Sequence, residues 1–409
     1  MGPRAIHADC IHPGDGAPVR DAAVVVGARG EVLDFGAAAE VLPRHAGCEV
    51  LRARGLVTPG LVNAHTHLEL SALRGRVPGG AGFVPWVEGL IAARTETDAE
   101  EEAAAVAAAV RDLDAFGTAA VGDVTNSLAA VHELARAHIA GCVFHEVFGA
   151  VLEHVRRRAE GLEAELAERV GAWPTADLSY APAPHTLYTT HLDVVAMLLS
   201  EARARGRRTS LHLLEHAPER RALEEGDGPV VDFLEQRARV PRAEQRWPRA
   251  PALDVAERVG ALAEDVLLVH LTEARPAELA RVAAARAPVV LCPRSNLFIG
   301  AKLPPLLAAL EAGIDPALGT DSLASNTSLD VLAEARALHE RFPTVSAARL
   351  FTMATHGGAR ALGRPDLGRV VKGARPGLVR FDVDPASVDP CRAALDAKVA
   401  RSWVARRAP

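Results

Sequence analysis

The sequence contains few cysteines, and none of them has a paired spacing. Five are spread over 409 residues without any Cys-x-x-Cys motif: Cys10, Cys48, Cys142, Cys292 and Cys391. Their odd number and wide scatter argue against a disulfide framework, and the missing paired spacing argues against a thiolate zinc site. Any metal bound by this chain must therefore use histidine and carboxylate ligands.

The chain also lacks an excess of positive charge and lacks long apolar segments. Lys and Arg number 46 against 52 Asp and Glu, a formal charge of −6, so no broad basic surface is available to attract nucleic acid. Apolar stretches such as residues 103–110 fall far short of the ~18 residues needed to cross a bilayer. The first six residues lack the apolar core of a secretory signal. We therefore expect a cytoplasmic protein with no nucleic-acid or membrane partner.

Apolar runs of strand length recur along the middle of the chain, separated by Ala-, Leu- and Arg-rich segments with helical spacing. Eight runs predict eight strands, at residues 61–64, 119–124, 143–148, 178–181, 209–213, 266–270, 289–292 and 314–319. Within one intervening segment, Thr97 and Glu100 form a capping box that predicts a helix start. This alternation favours an α/β fold of the (β/α)8 TIM-type barrel over an open doubly wound sheet, which pattern alone leaves open.

The two ends of the chain have a different character from the middle. Short segments with β-like composition and Gly-rich turns occur at residues 22–26, 32–35, 51–59, 370–371, 378–383 and 402–404. We predict a small β-sandwich domain assembled from both termini, residues 1–57 together with 364–409. It flanks the barrel, which takes residues 58–363.

Polar side chains close four of the predicted barrel strands. His65 and His67 follow the first run, His212 lies in the fifth, His270 ends the sixth and Asp321 follows the eighth. Residues i and i+2 of a strand point to the same side, so two imidazoles of a His-x-His motif can converge on one cation. A lone His-x-His occurs often by chance, but barrel enzymes place their active sites at this end of the strands. A purely structural origin would require four independent coincidences.

Three imidazoles and one carboxylate suit a divalent ion such as zinc, with Fe(II) and Mn(II) as alternatives. A second ion would need a further bridging group, which in proteins of this design is commonly a modified lysine on the fourth strand. The only lysines, far from that strand, are Lys302, Lys372 and Lys398. We therefore predict a single metal ion.

Several segments together resemble the amidohydrolase superfamily, specifically its mononuclear nucleobase and nucleoside deaminase branch. The first is Thr-Pro-Gly-Leu-Val-Asn-Ala-His-Thr-His at residues 58–67. It is followed in order by Pro-His-Thr-Leu-Tyr-Thr at 184–189, His-Leu-Leu-Glu at 212–215, Cys-Pro-Arg-Ser-Asn-Leu at 292–297 and Gly-Thr-Asp-Ser-Leu-Ala-Ser-Asn at 319–326. These matches span nearly the whole chain and are highly specific together, whereas Cys292-Pro293 alone is a weak signal.

The resemblance implies a metal-dependent hydrolytic deaminase. It implies that Glu215 and His270 act on substrate and water, and that His185 touches the substrate. Asp321 would accept the proton of the water, and Glu215 would protonate a ring nitrogen. A metal of this kind lowers the pKa of its water from ~15.7 towards ~7. The implied metal ligands are His65, His67, His212 and Asp321.

Further substrate contacts are predicted in the loops that follow the first and the last strand. Trp86 could cover a flat heterocycle, with core packing as an equal alternative. Glu69 and Ser322 lie beside the metal motifs. Arg94 would suit a substrate carboxylate, although the many arginines of this chain favour a solvated surface position for it.

Within the branch, residues 65–71, His-Thr-His-Leu-Glu-Leu-Ser, are most similar to the aminodeoxyfutalosine deaminases of menaquinone biosynthesis. Those enzymes act on an adenine nucleoside that carries a benzoate. The chain departs from the adenosylhomocysteine and methylthioadenosine deaminases because Arg94 stands near where they place a ribose-binding Glu. We expect a small heterocyclic amine as substrate, 6-aminodeoxyfutalosine first, with adenosylhomocysteine, guanine and cytosine as alternatives.

Other interpretations remain open at the level of sequence. The same centre could hydrolyse a cyclic amide or remove halide from a triazine, and a non-catalytic, metal-stabilised scaffold is the remaining alternative. The protein could form a homodimer. The long connection at residues 217–265 would serve as a lid over the site or as a surface excursion.

Overall fold

The computed structural model describes residues 2–237, 239–240, 247–300 and 302–407. The strands in this part of the chain are β1 Arg4–Ile11, β2 Val19–Val26, β3 Val32–Ala37, β4 Glu49–Pro59, β5 Leu61–Thr66, β6 Thr118–Thr125, β7 Ala140–Val147, β8 Leu178–Pro184, β9 Thr209–Leu213, β10 Val266–His270, β11 Val289–Leu291, β12 Ala317–Leu318, β13 Leu378–Phe381 and β14 Arg401–Ala405.

The α-helices are α1 Ala38–Arg44, α2 Phe83–Thr95, α3 Ala99–Ala115, α4 Val131–Arg136, α5 Leu152–Glu160, α6 Leu162–Arg169, α7 Leu192–Ala204, α8 Ala217–Glu225, α9 Pro229–Arg237, α10 Ala252–Arg258, α11 Pro276–Ala284, α12 Pro293–Ile299, α13 Leu306–Glu311, α14 Val331–Arg341, α15 Ala347–Thr352, α16 Gly358–Ala361 and α17 Pro390–Ala394. A 3₁₀ segment spans Leu68–Leu73, and a π-helical segment spans Met353–Gly357. No helix of the described residues is long and apolar enough to cross a membrane.

Eight parallel strands occupy the middle of the chain, one at each predicted run. They form two four-stranded sheets, in the orders β5-β6-β7-β8 and β9-β10-β11-β12. Strands β5, β6 and β7 are buried along their whole length, as expected where helices cover a parallel sheet. The α/β class is therefore confirmed. The last strand is shorter than predicted and keeps only Ala317–Leu318.

Hydrogen bonds connect the two sheets on both sides. The His212 N–H donates to the His185 carbonyl oxygen at 3.0 Å, which joins β9 to the segment after β8. The N–H groups of Thr320 and Asp321 donate to the His65 carbonyl oxygen at 3.0 and 3.1 Å, which joins the segment after β12 to β5. The Asn63 side chain donates to Thr320 Oγ1 at 2.7 Å. The carboxyl ends of the first, fifth and eighth strands thus meet in one region.

The terminal strands form one continuous six-stranded sheet in the order β14-β13-β4-β1-β2-β3, built from both ends of the chain. The two-layered sandwich and its boundaries stay predictions, and β4 runs across the predicted boundary at residue 57. Strand β1 was not expected because His7 and Asp9 interrupt its apolar residues, yet it pairs with β2 and β4. The strand predicted at residues 370–371 is wrong, since those residues lead into a turn.

The start of α3 lies one residue later than the capping box predicts. Asp98, not Thr97, is the N-cap, and its carboxylate accepts the Glu101 N–H at 2.8 Å. The Thr97 hydroxyl instead donates to the Ala93 carbonyl oxygen in the preceding helix. A carboxylate is the better cap here because it also carries charge to the positive end of the helix.

Candidate metal centre and active site

The predicted metal ligands lie together at the carboxyl ends of β5, β9 and β12. One ring nitrogen from each of His65, His67 and His212 lies within 4.8 Å of the others, and Nε2 of His67 is 3.4 Å from Nε2 of His212. Asp321 Oδ1 lies 3.8 Å from His65 Nε2 and 3.6 Å from His67 Nε2. Residues as far apart along the chain as His65 and Asp321 therefore face one small volume.

The state of these side chains fits a cation. Nε2 of His65 is buried and has no hydrogen-bond partner among the described residues, so its lone pair is available. Burial lowers the pKa of His65 and places that of His212 well below its usual value, which keeps both rings neutral. The Nδ1–H of His212 donates to the His185 carbonyl oxygen at 3.0 Å, which leaves Nε2 free to bind a metal. Three such nitrogens and one carboxylate form a donor set suited to zinc.

Asp321 is held as an ionised carboxylate. Burial alone would raise its pKa, but the imidazoles of His65 and His67 outweigh this effect and hold the pKa well below the usual value. Its Oδ2 accepts from Ser295 Oγ at 2.6 Å, and its Oδ1 accepts from the Ser322 N–H at 2.8 Å. These bonds orient the carboxylate towards the histidines.

Glu215 stands beside this cluster in the opposite protonation state. It is 8% exposed, and burial, reinforced by the negative charge of Asp321, raises its pKa well above the usual value. A carboxyl group in such a site keeps its proton at neutral pH and can deliver it. Its Oε1 lies 3.7 Å from Nε2 of His270, and burial lowers the pKa of His270 to about 3, so that ring is neutral.

A cavity of about 440 Å³ opens onto these groups. Its wall contains every predicted site residue except His65, which is 1% exposed and lies behind the wall. The predicted residues in the wall are His67, Glu69, Trp86, Arg94, His185, His212, Glu215, His270, Asp321 and Ser322. Helix α9 adds Phe233, Leu234 and Arg237, and the end of β7 adds Glu146.

The predicted substrate contacts differ in what their polar atoms do. The Trp86 indole N–H donates to the Ala324 carbonyl oxygen at 3.2 Å, and the residue is 9% exposed, so both the core and the cavity contact its ring. Arg94 Nη2 lies 3.5 Å from Glu69 Oε1, which makes Arg94 part of the wall and the partner of a buried carboxylate. Glu69 Oε2 accepts from the Ser127 hydroxyl and the Ser127 N–H, both at 2.7 Å. Burial alone would raise the Glu69 pKa, but Arg94 and Ser127 lower it.

Two carboxylates at the site were missed in the sequence. Glu146 lies inside the third predicted strand and, as observed, at its carboxyl end, so the strand-end rule that singled out His212 could have found it. Glu219 lies in α8, and its Oε1 and Oε2 accept the N–H groups of Leu214 and Glu215, both at 2.8 Å. Burial raises the pKa of Glu219 to about 7. No local pattern marks Glu219, because its partners are backbone groups.

The chain belongs to the amidohydrolase family, whose model matches residues 56–406. Among its relatives, the aminodeoxyfutalosine deaminase of Deinococcus radiodurans is 29% identical over 88% of this chain and 86% of its own length. The 5-methylthioadenosine/S-adenosylhomocysteine deaminase of Halobacterium salinarum is 32% identical over 88% of this chain and 82% of its own length. These relatives confirm the resemblance predicted from the motifs.

The fold comparison agrees with this membership. The crystal structure of Helicobacter pylori aminofutalosine deaminase, in complex with methylthio-coformycin, superposes with a TM-score of 0.84. It is 23% identical, and the match covers 96% of this chain and 95% of the other. The similarity shows that the two chains share one fold over nearly their whole length.

Proposed function

We propose that the protein is a metal-dependent hydrolytic deaminase of an adenine nucleoside, which releases ammonia from the ring. The observation that carries the proposal is the arrangement of Glu215 and Asp321 in one cavity. The surroundings raise the pKa of Glu215 well above its usual value and hold that of Asp321 well below it, and Asp321 lies beside the cluster of three histidines. Two carboxyl groups whose pKa values are pushed apart are suited to act as acid and base in one reaction.

The fold supports this proposal through the geometry of its strand ends. We infer that the two parallel sheets close into a (β/α)8 barrel, because hydrogen bonds join β9 to the segment after β8 and β5 to the segment after β12. Active sites of such barrels lie at the carboxyl ends of the strands, where His65, His212, His270 and Asp321 are found. The sandwich character of the terminal domain and a homodimer stay predictions.

One divalent ion, zinc first, would be held by His65, His67, His212 and Asp321. Structures of the same fold solved with zinc support this choice, with Fe(II) and Mn(II) as alternatives. When bound, the ion would make hydroxide available at neutral pH. Glu146, His185 and His212 also offer ligand atoms within 4.8 Å of one another. Since Nδ1 of His212 already donates to a carbonyl oxygen, this second group lacks a third ligand, and we infer a single ion.

The chain's own residues account for the proton transfers. Asp321 accepts the proton of the attacking water, and Glu215 delivers its proton to the ring nitrogen next to the attacked carbon. His270, neutral and 3.7 Å from Glu215, hydrogen-bonds the attacking oxygen. A further proton transfer to the amino group lets ammonia leave.

The relatives and the cavity favour a nucleoside over a free base. The cavity volume of about 440 Å³ lies within the ~300–1,000 Å³ of typical small-molecule sites. Arg94 in the wall would suit an anionic substituent, which favours 6-aminodeoxyfutalosine, the kind of substrate named for one relative. Adenosylhomocysteine and methylthioadenosine are the second candidates, because the other relative is named for them.

A substrate panel with the zinc-loaded protein tests the proposal. We expect ammonia release, with the ultraviolet shift from adenine to hypoxanthine, from 6-aminodeoxyfutalosine, adenosylhomocysteine or adenosine. Guanine, cytosine and a chlorinated triazine serve as comparison compounds. Turnover of only the triazine or of a cyclic amide, without ammonia from any adenine nucleoside, would contradict the proposal.

A further inference from the structure

Glu146 presents a carboxylate in the cavity wall that the proposed reaction does not use. The residue lies one position before the end of β7 and is 6% exposed. Its Oε1 has no hydrogen-bond partner among the described residues, and its Oε2 has only Asn126 Nδ2 at 3.4 Å. A buried carboxylate oxygen without a donor is costly. The side chain is therefore suited to a ligand that brings a hydrogen-bond donor.

His185, in the same wall, presents a hydrogen-bond donor. Two threonine hydroxyls determine which of its two ring nitrogens carries the proton. Thr186 Oγ1 accepts the N–H groups of Tyr188 and Thr189, so its own hydrogen points to Thr189 Oγ1 at 2.8 Å. The Thr189 hydrogen is then left to donate to Nδ1 of His185 at 2.6 Å. Because Nδ1 accepts this hydrogen bond, its lone pair carries no proton, and the ring proton lies on Nε2. His185 is therefore a donor at its other nitrogen.

The spacing of the two groups fits a single hydroxyl oxygen. A carboxylate oxygen of Glu146 and a ring nitrogen of His185 lie within 4.8 Å of each other. Two hydrogen bonds of ~2.8 Å that meet at one oxygen span roughly 4.5 Å. A hydroxyl group can accept from a nitrogen and donate to a carboxylate at the same time. An ether oxygen only accepts and satisfies half of this arrangement, whereas a hydroxyl group satisfies both halves and takes the place of a water.

We propose that Glu146 and His185 form a hydroxyl-binding subsite that holds a sugar hydroxyl of the nucleoside. This inference rests on the proposed function and extends it. The chain has Arg94 near where related deaminases place a ribose-binding Glu, and the subsite provides another way to bind the sugar. Glu146 accepts the hydroxyl hydrogen, and His185 donates to the hydroxyl oxygen. Asn126, which also donates to the Glu146 carbonyl oxygen at 3.0 Å, holds the carboxylate in place.

Binding of reaction products tests the subsite without turnover. Inosine, 2′-deoxyinosine, 3′-deoxyinosine and hypoxanthine are titrated by calorimetry into the zinc-loaded protein and its Glu146→Gln variant. We expect the variant to bind inosine about ten-fold more weakly, because a charge-assisted hydrogen bond is lost. Hypoxanthine, which has no sugar, should bind both proteins equally. One of the two deoxy compounds should lose affinity for the original protein and be insensitive to the substitution.

Several results would overturn the subsite. They are equal weakening of inosine and hypoxanthine, an unchanged inosine affinity, or no binding of inosine to the original protein. Glu165→Gln, which changes a carboxylate outside the cavity, is the matched control. If the Glu146→Gln variant does not fold, Glu146→Asp is used instead, which keeps the charge but withdraws it by one methylene. It should weaken the binding of inosine and leave that of hypoxanthine unchanged. Failure of the proposed function is distinct, since it appears as no ammonia from adenine nucleosides while inosine binding still depends on Glu146.

Discussion

At the strand ends, Leu214, His270 and Asp321 are among the non-glycine residues that adopt the left-handed backbone conformation. Their φ angles are 52° at Leu214, 78° at His270 and 58° at Asp321. Such conformations cost ~1–3 kcal/mol each and persist only where the surroundings hold them. Here Glu219 binds the Leu214 N–H, and the His65 carbonyl oxygen binds the Asp321 N–H. Part of the folding free energy thus offsets the backbone strain that orients the side chains of the proposed site.

Replacing Glu215 tests its role as proton donor. Glu215→Gln keeps the size of the side chain but cannot transfer a proton, so we expect kcat to fall by roughly 10²- to 10⁴-fold. Zinc content, measured by atomic absorption, should be unchanged, because Glu215 is not among the ligands. Glu163→Gln, on the exposed face of α6, is the control. Full activity of the Glu215 variant would refute the assignment.

The raised pKa of Glu215 predicts the direction of the pH dependence. The reaction needs the protonated form, and burial with Asp321 raises the pKa well above its usual value. Activity should therefore persist through neutral pH and decline at higher pH as Glu215 loses its proton. A kcat profile from pH 4 to 10 checks this sign. Activity that rises as Glu215 loses its proton would show that the ionised form is the active one, and a decline that begins near the ordinary pKa of a glutamate, ~4.3, would show that the pKa is not raised.

Glu219 offers a test of how Glu215 is positioned. Glu219→Gln replaces one accepting oxygen by an NH₂ group, which leaves the N–H of Leu214 or Glu215 without an acceptor. We expect about 1–3 kcal/mol lower stability and a kcat reduced roughly ten-fold with little change in KM. Faster amide hydrogen exchange at residues 214–215 would report the loosened turn. Unchanged exchange and unchanged kcat would show that the two bonds do not position Glu215.

At the scale of elements, the predicted strands and the long connection had different outcomes. All eight strands lie where apolar runs predicted them, because burial on both faces leaves a continuous apolar signal. The connection at residues 217–265 holds α8, α9 and α10, and residues 238 and 241–246 lie outside the described part. Helix α9 lines the cavity through Phe233, so the connection covers part of the site. Movement of this segment as a lid stays a prediction.

Removing the ring of Phe233 tests whether α9 contacts the substrate. With Phe233→Ala we expect KM to rise about ten-fold and kcat to change much less, because apolar contact is lost away from the reacting atoms. Val388→Ala, at a position that is 95% exposed, is the control for a loss of apolar surface elsewhere. An unchanged KM would place the bound substrate away from α9.

At the scale of the whole molecule, the proposed metal ligands come from both parallel sheets. His65 lies in β5 of one sheet and His67 follows that strand. His212 lies in β9 of the other sheet, and Asp321 follows its strand β12. A cation held by both sheets stabilises the folded state over the unfolded chain. The proposed centre would therefore contribute to stability as well as to chemistry.

Metal removal should lower the thermal stability of the molecule. At a free metal concentration of 100 Kd the expected stabilisation is ~2.7 kcal/mol, and a chelator should abolish it, with a Tm lower by several degrees. Scanning calorimetry before and after chelation, with re-addition of zinc, measures the effect. His67→Ala is the matched variant and should show almost no response to zinc. Equal Tm values with and without metal would exclude a metal shared by the two sheets.

The sequence by itself determined the α/β class, the eight strand positions and the four side chains expected to hold a metal. These features are local: strand burial leaves an apolar run, and each ligand stands at the end of such a run. The tertiary structure alone decided that Glu69 binds the Ser127 N–H 58 positions away, that Glu219 holds the turn before Glu215, and that β1 lies inside the terminal sheet. Hydrogen bonds to backbone N–H groups and pairings between backbone strands carry no side-chain signature in the partner segment, so only the folded structure reveals them.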